Sequence, residues 1–306
     1  MARERFLLIR EIGAGLWNEL HHILTQLLAA EIVRRIPVVY WGKGSLYFPA
    51  DSINAFEEFF MPVSGVSACD LASDEFSFYP YKWNSGNILT VPDYTEKDAN
   101  VLMKQLEQCS ADVFVSDSYT SAEEIIPFIP EDHWLFGLGR TELFRRLIRR
   151  YIRLNEKIRE LVDKFYDKNM KGTPLLAVHV RSSDKITEVR HLHELNEKYH
   201  AEIERVLEKV PGIRVFLMTD CIEVLDEYRK RYGSLLIFTD CRRVPKNGPG
   251  VHFQEYENNR DKGLEIIMDS WLASKCDYFI GNGHSNVSQG ISELKDWEED
   301  MIKLLY

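Results

Sequence analysis

Between residues 175 and 280 four short apolar runs alternate with three longer stretches of helical period, and this alternation constrains the fold more than any other feature. The apolar runs lie at 175–180, 213–218, 235–239 and 277–280, with helical stretches near 192–209, 222–232 and 261–275 between them. The first run, Leu175-Leu176-Ala177-Val178-His179-Val180, carries no charged side chain. A half-wet strand would alternate polar and apolar residues, so an unbroken run predicts a strand covered on both faces. Strands and helices alternating at this spacing build a parallel, doubly wound sheet.

The front of the chain opens in the same style. Phe6 to Ile9 reads as a strand, Gly13-Ala14-Gly15 as a turn, Trp17 to Arg35 as a helix, and Pro37-Val38-Val39-Tyr40-Trp41 as a second strand. Residues 42–130 mix proline, aromatic and acidic segments, with Asp112-Val113-Phe114-Val115-Ser116 as a strand and Tyr79, Tyr81 and Trp83 as an aromatic patch, either core or sugar-stacking. From Thr141, a residue able to cap a helix, to Tyr166, the residues Leu143, Leu147, Tyr151, Leu154, Ile158, Leu161 and Phe165 recur at steps of three and four. One long helix is expected there. It closes a first domain at 1–168, and 169–306 forms the second. The opposite face of that helix carries Arg145, Arg146, Arg149, Arg150 and Arg153, which suits either a solvated face or a peripheral contact with an anionic membrane surface or a lipid-linked acceptor.

The totals exclude several classes of function. Of 306 residues, 45% are hydrophobic and 12% aromatic, enough for sizeable cores and too many for disorder. A formal net charge of -10 argues against a nucleic-acid partner, which requires a basic face. The five cysteines are scattered and odd in number, which fits reduced thiols in a cytoplasmic protein. Arg10 and Glu11 interrupt any signal-peptide core near the front, and no apolar run reaches the length of a membrane span. His191 and His193 have the alternating spacing of strand ligands, but no carboxylate or cysteine set completes a site, so no metal is expected.

Chemistry collects where the strands end. In open α/β sheets, ligands bind beyond the carboxyl ends of the strands. The first run ends in Arg181, Asp184 and Lys185, with Glu188 just beyond. The second ends in Thr219-Asp220, and the fourth leads into Gly281-Asn282-Gly283-His284-Ser285-Asn286 ahead of a further helix. In the front half, Gly13-Ala14-Gly15 leads to Glu19-Leu20-His21-His22. Arginine grips a phosphate pair bidentately, lysine adds a point charge, and backbone N–H groups at a glycine-rich helix start suit a diphosphate. The pattern is neither a Walker A loop nor a complete dinucleotide fingerprint.

These residues resemble the fucosyltransferase superfamily, which includes the α-1,6-fucosyltransferases and a rhizobial nodulation enzyme. His179-Val-Arg181-x-x-Asp184-Lys185 resembles its H-V-R-R-x-D-K motif, and Glu188 stands one residue nearer than the family's acidic residue. Arg214-Val-Phe-Leu-Met-Thr219-Asp220 is similar to its R-V-[YF]-L-x-T-D segment, and Tyr199 to a tyrosine that follows two glutamates there. The run from Gly263 through Asp269 to Ile280 resembles R-G-x-x-x-D…A-D-F-L-V, with Ser285-Asn286 where the family has Ser-Gln. Glu19-Leu20-His21-His22 is similar to Q-L-H-H after a glycine turn. The resemblance is strongest over 175–290. It departs at Ser182, which replaces a second arginine, and at Asn286, which replaces glutamine.

The resemblance implies a GT-B-like architecture: two Rossmann-like domains facing a cleft, the second binding GDP-fucose. It implies inverting, metal-independent transfer of the sugar to a glycan hydroxyl. Arg181, Asp184, Lys185 and Glu188 are the expected catalytic group, with Glu188 favoured over Asp184 as base. His179, Gly15, His21, His22, Thr219, Asp220, Asp269, Gly283, His284, Ser285 and Asn286 are expected to hold the nucleotide sugar. One histidine of the His21-His22 pair is expected at the cleft and the other in the core or at the surface. The lost arginine leaves two alternatives, another donor such as UDP-xylose or a catalytically inactive nucleotide-binding protein. A hydrolase is disfavoured, since no nucleophile elbow is present.

Overall fold

The computed structural model of the chain describes residues 4–91, 102–182, 192–246, 248, 250–251 and 254–306. It divides into two compact units, Met1–Asn155 with Asn258–Arg260, and Glu156–Glu257 with Asp261–Tyr306. Each is an α/β unit built on a parallel sheet.

In the first unit, β1 (Phe6–Arg10) leads through the glycine turn into α1 (Leu16–Val33) and back to β2 (Ile36–Tyr40). Every residue of β1 is buried, which its unbroken FLLI run requires. β1 lies between β2 and β4 (Val113–Ser116), and β3 (Phe78–Tyr79) completes a sheet of order β2-β1-β4-β3 with all pairs parallel; short helices α2 (Leu102–Gln108) and α3 (Ala122–Ile125) precede and follow β4. Phe6, Leu8, Val38, Tyr40, Trp83 and Val115 pack into one core cluster. Trp83 therefore belongs to the core, whereas Tyr81 is 91% exposed.

The single helix expected over 141–166 is two helices, α4 (Arg140–Tyr151) and α5 (Glu156–Asn169). The stop is imposed from far along the chain. Leu154 bridges antiparallel to Phe60, Met61 N–H donates to the Arg153 carbonyl at 2.8 Å, and Asn155 N–H donates to Phe59 at 2.9 Å. Those bonds take backbone groups that helix continuation needs. The residue before the first turn of α4 is Gly139, so Thr141 lies inside the helix and does not cap it. Three of the five arginines of that face find partners within the unit. Arg145 and Arg146 pair with Glu142, and Arg150 lies 3.1 Å from Glu31.

In the second unit the sheet order is β7-β6-β5-β8-β9, all parallel. The strands are β5 (Leu175–Val180), β6 (Arg214–Thr219), β7 (Leu236–Ile237), β8 (Tyr278–Asn282) and β9 (Ile302–Leu305). Helices α6 (Leu192–Lys209), α7 (Ile222–Tyr232), α8 (Asn259–Ser274) and α9 (Asn286–Leu294) follow β5, β6, β7 and β8. One face of the sheet buries Leu176, Val178, Val215 and Leu217 against Tyr199 and Ile203 of α6 and Tyr228 of α7. The alternate residues point the other way, where Phe216 meets Phe165 of α5. Coverage on both faces is why β5 reads as a continuous apolar run.

Candidate functional site

The strand order sets which side chains meet. β5 is central, so its end is flanked by the ends of β6 and β8. At the end of β5 the Arg181 guanidinium pairs with the Asp220 carboxylate, both side chains less than one-fifth exposed. Ser182 N–H donates to the same carboxylate at 3.0 Å. Asp220 thus fixes both the side chain of Arg181 and the backbone just beyond it. The Thr219 hydroxyl accepts from Cys221 N–H at 3.3 Å and shapes the turn into α7.

His179 points to the sheet face opposite Val178. Its Nδ1 lies 2.7 Å from the Ser288 hydroxyl on α9, and its carbonyl accepts from the buried Tyr199 hydroxyl at 2.7 Å. Ser288 Oγ also accepts from Asn282 N–H at 2.9 Å. The hydroxyl hydrogen has no other acceptor among the described residues, so it goes to Nδ1 and the ring proton sits on Nε2. Burial, with a smaller push from the Arg181 charge, lowers the His179 pKa to about 3, and the ring is neutral at pH 7.

The loop after β8 is drawn tight. His284 N–H donates to Asn282 Oδ1 at 2.8 Å, and Gly283 N–H donates to the Leu305 carbonyl at 2.8 Å. Ser285 is the residue before the first turn of α9 and makes no side-chain cap, while His284 and Asn286 are exposed. Asn282 Nδ2 is fully buried with no acceptor among the described residues. Asp269 stands on α8, accepts from the Thr239 hydroxyl at 2.5 Å, and is pushed up to about 7 by burial.

In the first unit, Gly13 adopts a φ of 69°, the left-handed region that glycine enters freely, and Gly15 precedes the first turn of α1. Nothing lies within 4 Å of where a Cβ on Gly15 would stand. His21 is buried and stacks on Phe144 at 5.7 Å between centroids. His22 is fully buried, and burial, against a weaker hydrogen bond with the Arg10 backbone, lowers its pKa to about 4. Both rings are therefore interior. Asp184, Lys185, Glu188 and His191 lie outside the described residues. Among the described residues no group of three or more His, Cys, Asp or Glu side chains is placed to hold a metal ion, and no helix is long and apolar enough to cross a membrane.

Residues 32–298 match the family model for GDP-fucose protein O-fucosyltransferase. The chain belongs to this family. Nodulation protein Z of Sinorhizobium fredii, strain NGR234, is 24% identical over 269 residues, covering 82% of this chain and 79% of that protein. Among solved structures, NodZ alpha-1,6-fucosyltransferase soaked with GDP-fucose is 23% identical with a TM-score of 0.64, covering 99% of this chain and 98% of that one. POFUT1 in complex with GDP is 14% identical with a TM-score of 0.62, covering 100% and 99%. The fold is that of the GT-B-like fucosyltransferases, and the protein is a glycosyltransferase of that superfamily.

Within the family, Ser182 stands where the resembling motif has its second arginine. Its side chain is 1% exposed, and its N–H is bound to Asp220, so the position is built into the strand end. Ser288 was not singled out by sequence reasoning, because a helical serine carries no local signal. Its role comes from the 109-residue separation that the fold closes between it and His179.

Proposed function

We propose that this enzyme transfers L-fucose from GDP-fucose to a glycan hydroxyl, with inversion and without a metal ion, and that the second unit holds the donor. One arrangement carries the reading: Arg181, oriented by Asp220, stands at the end of the central strand beside His179 and the loop after β8. In the transfer, the acceptor oxygen forms a bond to the anomeric carbon as the bond from that carbon to the diphosphate breaks. The acceptor proton goes to a carboxylate, and negative charge collects on the departing GDP. Arg181 neutralises that charge, Lys185 adds to it, and the uncharged His179 offers its Nε2–H as a donor. Glu188 is the proposed base, with Asp184 as the second candidate. Thr219 and Asp269 are assigned to the nucleoside, Asp269 as a carboxyl whose elevated pKa lets it donate as well as accept near neutral pH.

The N–H groups of Gly283, His284 and Ser285 are taken within the fold, so the donors assigned to the diphosphate are the first-turn N–H groups of α9, from Asn286 on, and the unpartnered Asn282 amide. The family matches in the first unit, Gly15, His21 and His22, are assigned to the donor side as well. The acceptor is a glycan.

Titration of the protein with GDP, UDP and dTDP in the presence of EDTA tests the donor assignment. Micromolar binding of GDP alone is expected. Preference for UDP or dTDP moves the donor to another sugar, and binding of none removes the donor reading. Arg181→Ala is expected to lower kcat/KM by a factor of about 100 or more, since a charge-assisted contact to the leaving group contributes about 3 kcal/mol. The replacement of the second arginine by Ser182 supports an alternative, a nucleotide-binding protein without turnover. GDP binding with no transfer or donor hydrolysis would favour it.

A further inference from the structure

Glu19 sits in the first turn of α1 with its side chain wholly buried, yet among the described residues no cation faces it. Its carboxylate reaches back past the helix start to the loop that leaves β1. Ile12 N–H donates to both oxygens at 3.1 Å, and Ala14 N–H donates to Oε1 at 2.9 Å. The one buried arginine at this strand end, Arg10, is taken up elsewhere. It lies 3.2 Å from both Glu11 oxygens and donates to the carbonyls of Ile88 and Thr90. Among the described residues no Lys or Arg pairs with Glu19.

An unpaired buried carboxylate is costly, and an apolar side chain of similar volume would pack at least as well. Stability alone does not explain it. What the carboxylate does is bracket the glycine turn: it holds the residues on either side of Gly13, whose φ is 69°, while Gly15 on the open side has free space where a Cβ would stand. A glutamine, the residue at this place in the resembling motif, would keep one acceptor and turn an amide donor toward Ile12 N–H.

We propose that Glu19 is a positioning residue for the donor: its ionised carboxylate holds the Gly13–Gly15 loop in the shape that receives the diphosphate or sugar of GDP-fucose. This rests on the donor reading above. Burial, against the pull of the backbone N–H groups, raises the Glu19 pKa to about 7. Protonation below that value replaces one acceptor with an O–H donor facing the same N–H groups, and the loop loosens.

Beside Glu19, Glu11 is paired with Arg10 and accepts from Gly44 N–H, and its charge adds to the upward push on Glu19; His22, one turn further along α1, is already neutral.

The test is calorimetric titration with GDP-fucose, whose diphosphate diester does not titrate near neutrality, one pH unit below and one above the value of about 7. The wild type is expected to bind about tenfold more weakly at the lower pH, the ratio of ionised fractions. Glu19→Gln is expected to abolish that difference, and Glu19→Ala to weaken binding at both pH values by a factor of about ten or more. Circular dichroism confirms that each variant is folded, and Glu19→Gln, the conservative change, decides the matter if Glu19→Ala is not. Equal wild-type affinity at both pH values, or a pH dependence that survives in Glu19→Gln, overturns the positioning role and leaves the donor reading standing. No saturable binding of GDP-fucose by the wild type at either pH overturns the donor reading, and this proposal with it.

Discussion

At the scale of single residues, the two units bury titratable groups whose pKa values move in opposite directions, and the signs lead to separate tests. His179 and His22 fall from 6.5 to about 3 and about 4, so the unfolded chain binds their protons first as pH drops. Their contribution to stability is present above pH 6.5 and is lost on acidification, at up to about 1.4 kcal/mol per pH unit for each group. Glu19 and Asp269 rise from 4.5 and 3.8 to about 7, so the folded protein keeps their protons longer. Their contribution falls as pH rises toward 7. His22→Leu gives up one backbone hydrogen bond with Arg10 and keeps the buried volume, so it is expected to change stability at pH 7 by no more than about 1 kcal/mol and to flatten the acid limb of stability between pH 6.5 and about 4. Denaturant midpoints across that range decide it, and an unchanged acid limb would count against a neutral buried His22. Ser288→Ala is the contrasting case. It strips partners from His179 Nδ1 and from Asn282 N–H at once and is expected to cost about 1–3 kcal/mol by denaturation.

At the scale of elements, two nearby glycines, one inside β8 and one just beyond it, are required for different reasons. A Cβ on Gly281 would stand 2.6 Å from the Phe279 ring and 2.7 Å from Ser288 Oγ, both fixed in the interior. Gly281→Ala is therefore expected to lose about 1–3 kcal/mol, the usual cost of overpacking. A Cβ on Gly283 would stand 2.3 Å from the Tyr306 ring, but that residue is 69% exposed and can swing aside. Gly283→Ala is expected to cost less in stability and to disturb His284, whose ring meets Tyr306 edge to face at 5.5 Å. Comparing the two denaturation midpoints tests the distinction; equal losses would contradict it. The same elements show where local pattern stops being informative. Leu175–Val180 and the helices after it follow their apolar runs closely, because burial on two faces writes itself into consecutive residues. β9 is four residues long and gains its place only by pairing with β8. The break between α4 and α5 is equally hidden, since the apolar period runs on past it while Phe59 and Met61 claim the backbone at Arg153 and Asn155.

At the scale of the whole molecule, a donor that binds the folded state raises its stability by mass action. GDP at 100 times its dissociation constant adds about 2.7 kcal/mol, and the thermal midpoint is expected to rise by several degrees. If the two units, Met1–Asn155 with Asn258–Arg260 and Glu156–Glu257 with Asp261–Tyr306, unfold in separate transitions, the one that moves carries the donor. A scan unchanged by saturating GDP would count against the donor assignment. The sequence by itself determined the α/β class, the strand ends that bear charged residues, and the superfamily resemblance, because apolar period and short motifs are local properties of the chain. Only the tertiary structure decided that Asp220 holds Arg181, that Ser288 sets the proton on His179, that His21 and His22 are interior, and that Glu19 ties the glycine loop. The first three depend on which strands and helices lie side by side, and the last on a side chain turning back past its own helix start to backbone that only the folded loop presents.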